Sequence, residues 1–571
     1  MQSEIHALPA QAPDDIEMQE PSASGINKKN DHSLEATEDT PEAPLFVYCT
    51  TLFAMALIAF VAGFDFTAVV AVLPEIAAKY SKLKSINWVV TVYLLAMASF
   101  LPSVIKIARI CGHRSSLVGF TLLYLAGLIM SGASKELKLL LAGRGIAGVG
   151  AAGCVVISVI VVSELGSLKQ RVSGLQVLLA VWLAASVLGL IAGGCLASNG
   201  SWRWAFYLNC PILLVAAAIA VCFVNVHRSK QSRLEIIKSI DVLGTLFVTG
   251  GTLTLILALN YGGDLFNWAS GVVIILLVLS VVLFCLFAFV QAKFSLDPII
   301  PFAKFSSRSS MALLFLQPFA GIATYTPILY LALWYNVVKT ASLESIGNHL
   351  LAIVLTVAVV SVLCSVVIAK WKWYVPLVWL SGIFLTLGCG LLLALNKDTG
   401  SSAPIGYMII LGIGVGLSIE PHIAAMRAAA PSEDIAVVIS LFLFLRFVGA
   451  VICIALFNTV MQNKLTTKLA VVVLSHPLYY KYIIMSADNH DVIRLPSVPQ
   501  SVRDDVTQSN AQAFNSAFVC CLVFAAVTVP LCLFVKRLQP SSEQGLQADR
   551  SVTTSRNSSG AGTVNGNGQS A

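Results

Sequence analysis

The sequence predicts an all-α polytopic membrane protein with about fourteen transmembrane helices. Hydrophobic residues make up 57% of the chain and charged residues only 11%, and the mean hydropathy is +0.84. Apolar runs of roughly 20 residues, the length that crosses a bilayer as a helix, recur along the chain. A chain this apolar cannot bury its hydrophobic surface as a water-soluble globule, so we expect it to lie in lipid.

The apolar runs lie between two polar tails. Counted with windows of about 20 residues, they centre near residues 60, 97, 125, 151, 185, 215, 251, 280, 325, 360, 384, 416, 448 and 525. Residues 1–44 are acidic and lack a positive region followed by an apolar core, so no secretory signal peptide is evident. Residues 539–571 are rich in Ser, Gly, Asn and Thr. Both tails are predicted to be disordered and cytosolic.

The remaining composition argues against several other classes of protein. The net charge is +7, but Lys and Arg are spread along short loops without an aromatic-interleaved basic patch, so we expect no nucleic-acid binding. The thirteen cysteines lie mostly in apolar runs, without the spacing of metal ligands or of a secreted disulfide framework. No phosphate-binding Gly-x-x-x-x-Gly-Lys-Ser/Thr loop is present. We therefore expect no metal, no cofactor, no ATP hydrolysis and no enzymatic activity.

The distribution of Lys and Arg predicts the orientation in the membrane. With both termini in the cytosol, the short inner loops hold about fifteen basic residues and the short outer loops about eight, as the positive-inside rule requires. Residues 462–514 are predicted as one long outer loop, within which residues 502–514 are a candidate interfacial helix. The predicted location is the plasma membrane, with the vacuolar membrane as the alternative.

An arginine and closely spaced glycines stand inside neighbouring apolar runs. The arginine is Arg144, and the glycines are Gly148 and Gly150 in the same run and Gly189, Gly193 and Gly194 in the next. Small residues at such spacings give a smooth helix face, so two backbones can approach closely and slide. An arginine in lipid is costly unless it faces a polar interior. The combination predicts a bundle of helices that move against one another.

These two runs and several further stretches resemble the major facilitator superfamily, in particular its fourteen-span drug:proton antiporter branch. The further stretches are Asp65–Pro74, Trp88–Leu95, Trp202–Pro211 and Pro431–Val437, with Arg446 downstream. The last of them looks like fungal toxin-efflux members. The resemblance covers nearly the whole membrane portion, and its motifs follow in family order.

The resemblance implies two six-helix bundles, residues 45–227 and 310–536, with two additional helices at residues 241–294. Such bundles rock around a central cavity that binds a small molecule. It also implies proton-coupled export of a small amphipathic organic compound, such as a fungal secondary metabolite, toxin or drug. The expected partners are the solute, protons and the lipid bilayer, and we expect a functional monomer.

Charged side chains inside the membrane are candidates for proton coupling or substrate binding. A charge at the centre of a transmembrane helix costs about 2.5 to 3.5 kcal/mol on insertion scales, so each one is a functional candidate. Asp65 lies in the first run, and a carboxyl in a partly dry site can bind and release a proton near neutral pH. Arg144 matches the family's fourth-span arginine, with an implied role in proton transfer or charge balance. Asp65 is its nearest plausible partner, and a structural hydrogen-bonding role for either residue is the alternative.

Three further candidates lie in the last third of the chain. Glu420 and His422 flank Pro421, which kinks the helix, so the acid and the histidine form a candidate pair for proton relay or for a cationic substrate. Glu420 departs from the glutamine that is usual in this branch, and a kink near water is the alternative reading. Arg446 resembles a family residue, and a structural role is favoured for it.

Two motifs of the family are altered. In the loop after the second run, Ile105 replaces a glycine and Arg109 replaces the acid of a helix-latching motif, so its anion is lost. In the fifth run, Leu190 replaces a proline and Ala185 the first glycine, so the proline kink is lost. These changes leave the balance of conformations, and the direction of transport, open.

Two other functions fit the sequence. A vacuolar or plasma-membrane carrier for basic amino acids is a relative within the same branch, and Glu420 as an added cavity anion would favour it. A non-transporting membrane receptor or scaffold is suggested by the altered loop motif, although neither tail shows the periodicity of a folded domain.

Overall fold

The computed structural model describes residues 44–80, 86–164, 168–224, 241–262, 266–293, 307–400, 402–428, 435–487, 492–493 and 495–536. Within these ranges the chain is helical, apart from short turns and one isolated bridge between Gly262 and Phe266. Both predicted tails lie outside the described residues, except for Pro44. The predicted all-α polytopic fold is confirmed.

Nine helices are described before residue 300. They are α1 (Leu45–Tyr80), α2 (Trp88–Cys111), α3 (His113–Gly132), α4 (Leu137–Glu164), α5 (Leu168–Ser198), α6 (Trp204–Tyr207), α7 (Asn209–Phe223), α8 (Val242–Tyr261) and α9 (Gly271–Lys293). Those described after residue 300 are α10 (Arg308–Val337), α11 (Leu343–Trp371), α12 (Tyr374–Leu391), α13 (Ser402–Ala428), α14 (Ile435–Ser475), α15 (Tyr480–Ser486) and α16 (Gln500–Leu533).

Local sequence signals set several helix ends. Ser307 accepts a hydrogen bond from the Ser310 backbone N–H at 3.1 Å and so caps the start of α10. Asp241 caps α8 in the same way, through the Gly244 N–H at 2.6 Å. Gly112, with φ of 86°, separates α2 from α3, because glycine adopts this backbone conformation without a steric penalty.

Among the described residues, thirteen helices are long and apolar enough to cross a membrane, judged by length and composition. One of these spans, Trp204–Phe223, includes both α6 and α7. The fourteenth predicted run, near residue 251, is α8, whose apolar stretch Leu243–Leu259 is shorter. α8 packs mainly against α9, and it also contacts α2 and α14.

The helices pack in two sets, which we name the first set (α1–α7) and the second set (α10–α14 and α16). In the first set the most extensive contacts join α1 to α5, α3 to α4 and α2 to α4. In the second set they join α12 to α13, α11 to α13 and α10 to α14. The two sets meet chiefly where α5 packs on α11 and α2 packs on α14.

Glycines stand where these helices approach most closely. A Cβ at Gly189 would overlap Thr67 and the backbone of α1, and one at Gly193 would lie 2.7 Å from the Ala68 carbonyl oxygen. In α4, a Cβ at Gly148 would overlap the carbonyl oxygen of Tyr93, and one at Gly150 would overlap the backbone of α3. Small residues therefore permit the α1–α5, α2–α4 and α3–α4 contacts.

The segment expected to be an outer loop is largely helical. α14 continues to Ser475, and α16 begins at Gln500 and includes residues 502–514, which therefore do not form a separate interfacial helix. No glycine or proline interrupts α14 after Gly449, and the helix ends just before Pro477. Hydropathy windows report only the apolar part of such a helix, so they place its end too early.

Candidate transport cavity and buried charges

Asp65 and Arg144 form an ion pair inside the first set of helices. Arg144 Nη1 donates to Asp65 Oδ1 at 3.0 Å and to Oδ2 at 2.9 Å, and the two side chains are 1% and 0% exposed respectively. The sequence names Asp65 as the partner of Arg144, and the structure brings the two together. Because neither charge faces lipid, each offsets the desolvation cost of the other.

Four helices meet at this ion pair. Tyr124 of α3 donates its hydroxyl to Asp65 Oδ2 at 3.1 Å, and Arg144 Nε donates to the Val89 carbonyl oxygen of α2 at 3.3 Å. The Arg144 guanidinium also lies 4.0 Å from the centre of the Tyr93 ring. Protonation of Asp65 would thus weaken contacts that hold α1, α3 and α4 together. Whether Asp65 carries the transported proton remains a prediction.

A central cavity lies between the two sets of helices. The volume open to the centres of water molecules is about 190 Å³, and the lining comes from α1, α2, α4 and α5 on one side and α10, α11, α13 and α14 on the other. Most of the lining is aliphatic or aromatic. Asp65 and Arg144 are not part of this lining, whereas their neighbours Phe66 and Thr67 are. The ion pair therefore lies behind the cavity wall and not in the cavity itself.

The cavity wall carries three ionisable groups besides Tyr325. Glu420 and Arg427 of α13 form an ion pair, with Arg427 Nη2 2.6 Å from Glu420 Oε1 and side-chain exposures of 15% for Arg427 and 4% for Glu420. The third group is Arg446 of α14, which is 2% exposed. Arg427 was not identified as a site residue from the sequence. Its spacing of seven residues from Glu420, two helical turns, is the signal that places both on one face.

His422 does not face Glu420. Its Nε2 lies 2.9 Å from Ser381 Oγ of α12, and it is fully buried. Among the described residues, its Nδ1 has no hydrogen-bond partner. Residues two apart on a helix point in roughly opposite directions, and α13 is continuous through Pro421. The structure therefore does not assemble the acid–histidine pair that the sequence suggests.

Arg446 is bound by uncharged oxygen atoms. Nη1 donates to the Ser418 carbonyl oxygen at 2.8 Å, and Nη2 donates to Ser418 Oγ at 2.5 Å and to Thr324 Oγ1 at 2.9 Å. Its guanidinium lies 5.2 Å from the centre of the Phe442 ring. Among the described residues, no carboxylate forms an ion pair with it. The side chain thus joins α10, α13 and α14 while its charge stays uncompensated.

The two sets of helices are joined at one end of the cavity, and toward the other end Ser440 Oγ of α14 donates to the Leu101 carbonyl oxygen of α2 at 3.2 Å. We call the end of the bundle with Pro44 and Lys536 the terminal end, and the other the distal end. At the distal end, Asn87 Nδ2 donates to Tyr330 Oη and to Asn458 Oδ1, both at 3.1 Å. Gly194 of α5 also lies against Gly347 of α11. These contacts close the cavity toward the distal end.

The same two helices, α5 and α11, separate toward the terminal end. A second cavity of about 650 Å³ lies between them there, lined by residues from Ser173 to Leu183 and from Ser361 to Lys370. It shares Gln176, Leu179 and Leu183 with the lining of the central cavity. The central cavity is therefore reached from the terminal end in this conformation.

The altered loop motif lies between α2 and α3 at the terminal end. The chain turns at Gly112, and His113 Nε2 lies 3.7 Å from Glu164 Oε1 at the end of α4. An acidic residue thus approaches the α2–α3 connection from α4 rather than from within the loop. Arg109 lies where the family motif has its acid.

Comparison with known proteins agrees with this architecture. Residues 55–453 match the sequence model of the Major Facilitator Superfamily. A protein of Dothistroma septosporum named efflux pump dotC is 30% identical over 515 residues, which cover 89% of this chain and 88% of the relative. One of Penicillium rubens named efflux pump roqT is 28% identical over 427 residues, 74% of this chain and 79% of the relative.

Solved structures show the same fold at low sequence identity. A bacterial homologue of the human lysosomal transporter Spinster, in an inward-facing and occupied conformation, has a TM-score of 0.55 at 14% identity, covering 85% of this chain and 96% of that one. The peptide transporter POT in complex with sulfate has a TM-score of 0.56 at 13% identity, covering 86% and 96%. With the family match over most of the membrane portion and two helix sets around one cavity, the chain belongs to the Major Facilitator Superfamily.

Proposed function

We propose that this protein is a secondary transporter that exports a small amphipathic organic compound in exchange for protons. The observation that carries the proposal is the largely apolar central cavity, which is closed at the distal end and reached from the terminal end. Alternating exposure of such a cavity moves a solute without any chemical reaction. The named efflux pumps among the relatives support export as the direction. A fungal secondary metabolite, toxin or drug is the proposed class of solute.

Proton coupling is proposed to act through buried carboxylates. Asp65 is held by Arg144 between helices, and Glu420 is held by Arg427 in the cavity wall. Protonation of either acid removes one charge of an ion pair and so favours a different packing of the helices. One pH unit supplies about 1.4 kcal/mol, and 100 mV supplies about 2.3 kcal/mol per charge. Either gradient can therefore drive accumulation of a solute.

The proposed orientation places the terminal end in the cytosol. The excess of Lys and Arg in the loops at that end supports it. The central cavity then opens to the cytosol in this conformation, where a compound for export would enter. The proposed location is the plasma membrane, and we propose that a single copy of the chain is active.

Transport in proteoliposomes tests the proposal. Purified full-length protein is reconstituted, an acid jump is imposed, and the movement of three amphipathic dyes, one anionic, one neutral and one cationic, is followed. We expect at least one dye to accumulate against its gradient, and a protonophore to abolish the accumulation. If none of the three moves faster than in protein-free liposomes, the proposal fails.

A carrier for basic amino acids is the alternative, and Glu420 as a cavity anion was the feature in its favour. In the structure Glu420 is already paired with Arg427, so the described cavity wall offers no unpaired carboxylate to a lysine side chain. Uptake of labelled lysine in the same proteoliposomes separates the two functions. Lysine transport without dye transport would favour the carrier.

A further inference from the structure

The cavity wall has an excess of positive charge. Its lining contains one acidic residue, Glu420, and two arginines, Arg427 and Arg446. Glu420 is engaged by Arg427, so the charge of Arg446 remains without a counter-ion among the described residues. A buried charge is expensive unless an opposite charge pairs with it. Within the part of the chain that the structure describes, the charge of this arginine is therefore not offset by an acidic side chain.

Among the residues whose burial the structure describes, two arginines are at most 2% exposed, and they differ in this respect. Arg144 has both Asp65 oxygens within 3.0 Å, whereas the three hydrogen bonds of Arg446 all go to serine and threonine oxygens. A guanidinium has five N–H donors, so two donors of Arg446 have no acceptor among the described residues. Because the side chain lines the cavity, a bound molecule can reach it.

Aromatic rings line the cavity together with this arginine. The Tyr325 ring lies 5.4 Å from that of Phe66 and 5.4 Å from that of Phe447, between centroids, and all three line the cavity. Phe66 belongs to the first set of helices, and Tyr325 and Phe447 belong to the second. The three rings thus form one aromatic surface shared by the two sets, against which a planar ring can stack or lie edge to face.

We infer that Arg446 binds the acidic group of an amphipathic organic anion, a carboxylate or phenolate carried on an aromatic body. The acidic group accepts hydrogen bonds from the free guanidinium donors, and the ring lies against Tyr325, Phe447 and Phe66. This inference rests on the proposed function, because it names the class of solute that the same cavity carries.

Binding of three probes with one ring system tests the inference without requiring transport. At neutral pH, 2-naphthoate is an anion, 2-naphthamide is neutral and 2-naphthylmethylamine is a cation. Binding of each to full-length protein in nanodiscs is measured by equilibrium dialysis, with empty nanodiscs as the blank for partition into lipid. We expect wild-type protein to bind naphthoate about tenfold or more tightly than the amide, as expected for hydrogen bonds to a charged group, and the amine least.

Variants assign the preference to Arg446. We expect Arg446→Gln to lose the tenfold preference for naphthoate, while its binding of the amide changes less than about twofold. Arg446→Lys should keep part of the preference, since an ammonium retains the positive charge but not the paired N–H donors of the planar guanidinium. Glu420→Gln is the matched control. It changes the cavity charge by the same amount in the opposite sense, so naphthoate affinity should not fall.

Several results would overturn the inference. They are equal binding of naphthoate and amide by wild-type protein, no binding of any probe, or an unchanged preference in a folded Arg446→Gln variant. Chloride or phosphate that displaces naphthoate as well as unlabelled naphthoate does would also overturn it, since those ions make no ring contacts. If Arg446→Gln does not fold, the comparison of naphthoate and naphthamide binding by the wild-type protein still tests the inference. Dye transport without a charge preference refutes this inference alone, whereas Arg446-dependent binding without gradient-driven transport refutes the proposed export alone.

Discussion

Two buried carboxylates in this protein have different surroundings, and their variants should behave differently. Asp65 is sealed among four helices, whereas Glu420 lies in the cavity wall near its open end. The first acid is placed to control helix packing, and the second is placed to meet solute or water. His422, which the sequence groups with Glu420, faces Ser381 of α12 instead.

The Asp65–Arg144 pair should be strongly coupled. Asp65→Asn or Arg144→Gln alone leaves one buried charge without its partner and should lower the free energy of unfolding by about 3 to 5 kcal/mol. The double variant should lose less than the sum of the two single losses. The midpoint of thermal unfolding, followed by labelling of the buried Cys154 and Cys453 with a thiol-reactive dye, measures all three variants. Additive losses would show that the two side chains act independently.

Substitutions of Glu420 and of His422 should have different effects on the pH dependence of transport. Glu420→Gln removes a titratable group from the cavity and should change how the initial rate of dye transport depends on pH. His422→Gln should leave that dependence unchanged, because the histidine lies outside the cavity lining. Initial rates across a pH series measure both. A shift of equal size in the histidine variant would show that His422 takes part in proton movement.

At the level of helices, some close contacts leave no space for an added methyl group, whereas others do. A Cβ on Gly193 would lie 2.7 Å from the Ala68 carbonyl oxygen and 2.8 Å from the Ala71 Cβ, within the first set of helices. On Gly194 it would lie no closer than 3.5 Å to the Gly347 Cα of the second set, which is ordinary contact. Adjacent glycines of α5 thus serve different interfaces.

Alanine substitutions test this difference. Gly193→Ala should force α1 and α5 apart and cost about 1 to 3 kcal/mol of stability, the usual cost of overpacking. Gly194→Ala should fold with stability close to that of the wild type, and serves as the matched control. Thermal unfolding of both variants is the measurement. Equal stability of the two would mean that α1 and α5 are less tightly packed than the distances show.

Sequence patterns predict most of the helices, but they predict only some of the contacts between side chains. Asp65 and Arg144 were paired from the sequence because few intramembrane charges exist and each requires a partner. The Glu420–Arg427 pair was missed, because Arg427 lies near a helix end and counts as a loop charge in the orientation rule. The length of α14 was also missed, since the stretch Gln462–Lys468 inside it is polar and interrupts the apolar run that a hydropathy window follows.

In the protein as a whole, the distal contacts and the terminal opening define one conformation of a transport cycle. Asn87 is the shared donor to Tyr330 and Asn458, so it holds α2, α10 and α14 together. Exposure of the cavity to the distal side requires these hydrogen bonds to break and α5 to separate from α11. The family fold predicts such movement, and the shape of the cavity depends on which end is closed.

Asn87→Ala should therefore favour opening at the distal end. Hydrogen–deuterium exchange of the full-length protein in nanodiscs should show faster exchange at the start of α2 and of α11 than in the wild type. Exchange along the terminal half of α5 should slow, because that end closes when the other opens. Unchanged exchange at both ends would mean that Asn87 does not control the closure.

Coupling between solute and proton movement is tested by imposing a gradient of solute and measuring the movement of protons. Proteoliposomes are loaded with whichever dye moves in the acid-jump assay, voltage is clamped with valinomycin and equal K⁺ on both sides, and internal pH is read with pyranine. Outward movement of the dye without an imposed pH difference should draw protons inward and acidify the interior, and Asp65→Asn should weaken this acidification. If the dye leaves at the same rate and internal pH follows that of protein-free liposomes, the protein moves solute without protons and the proposed exchange is wrong.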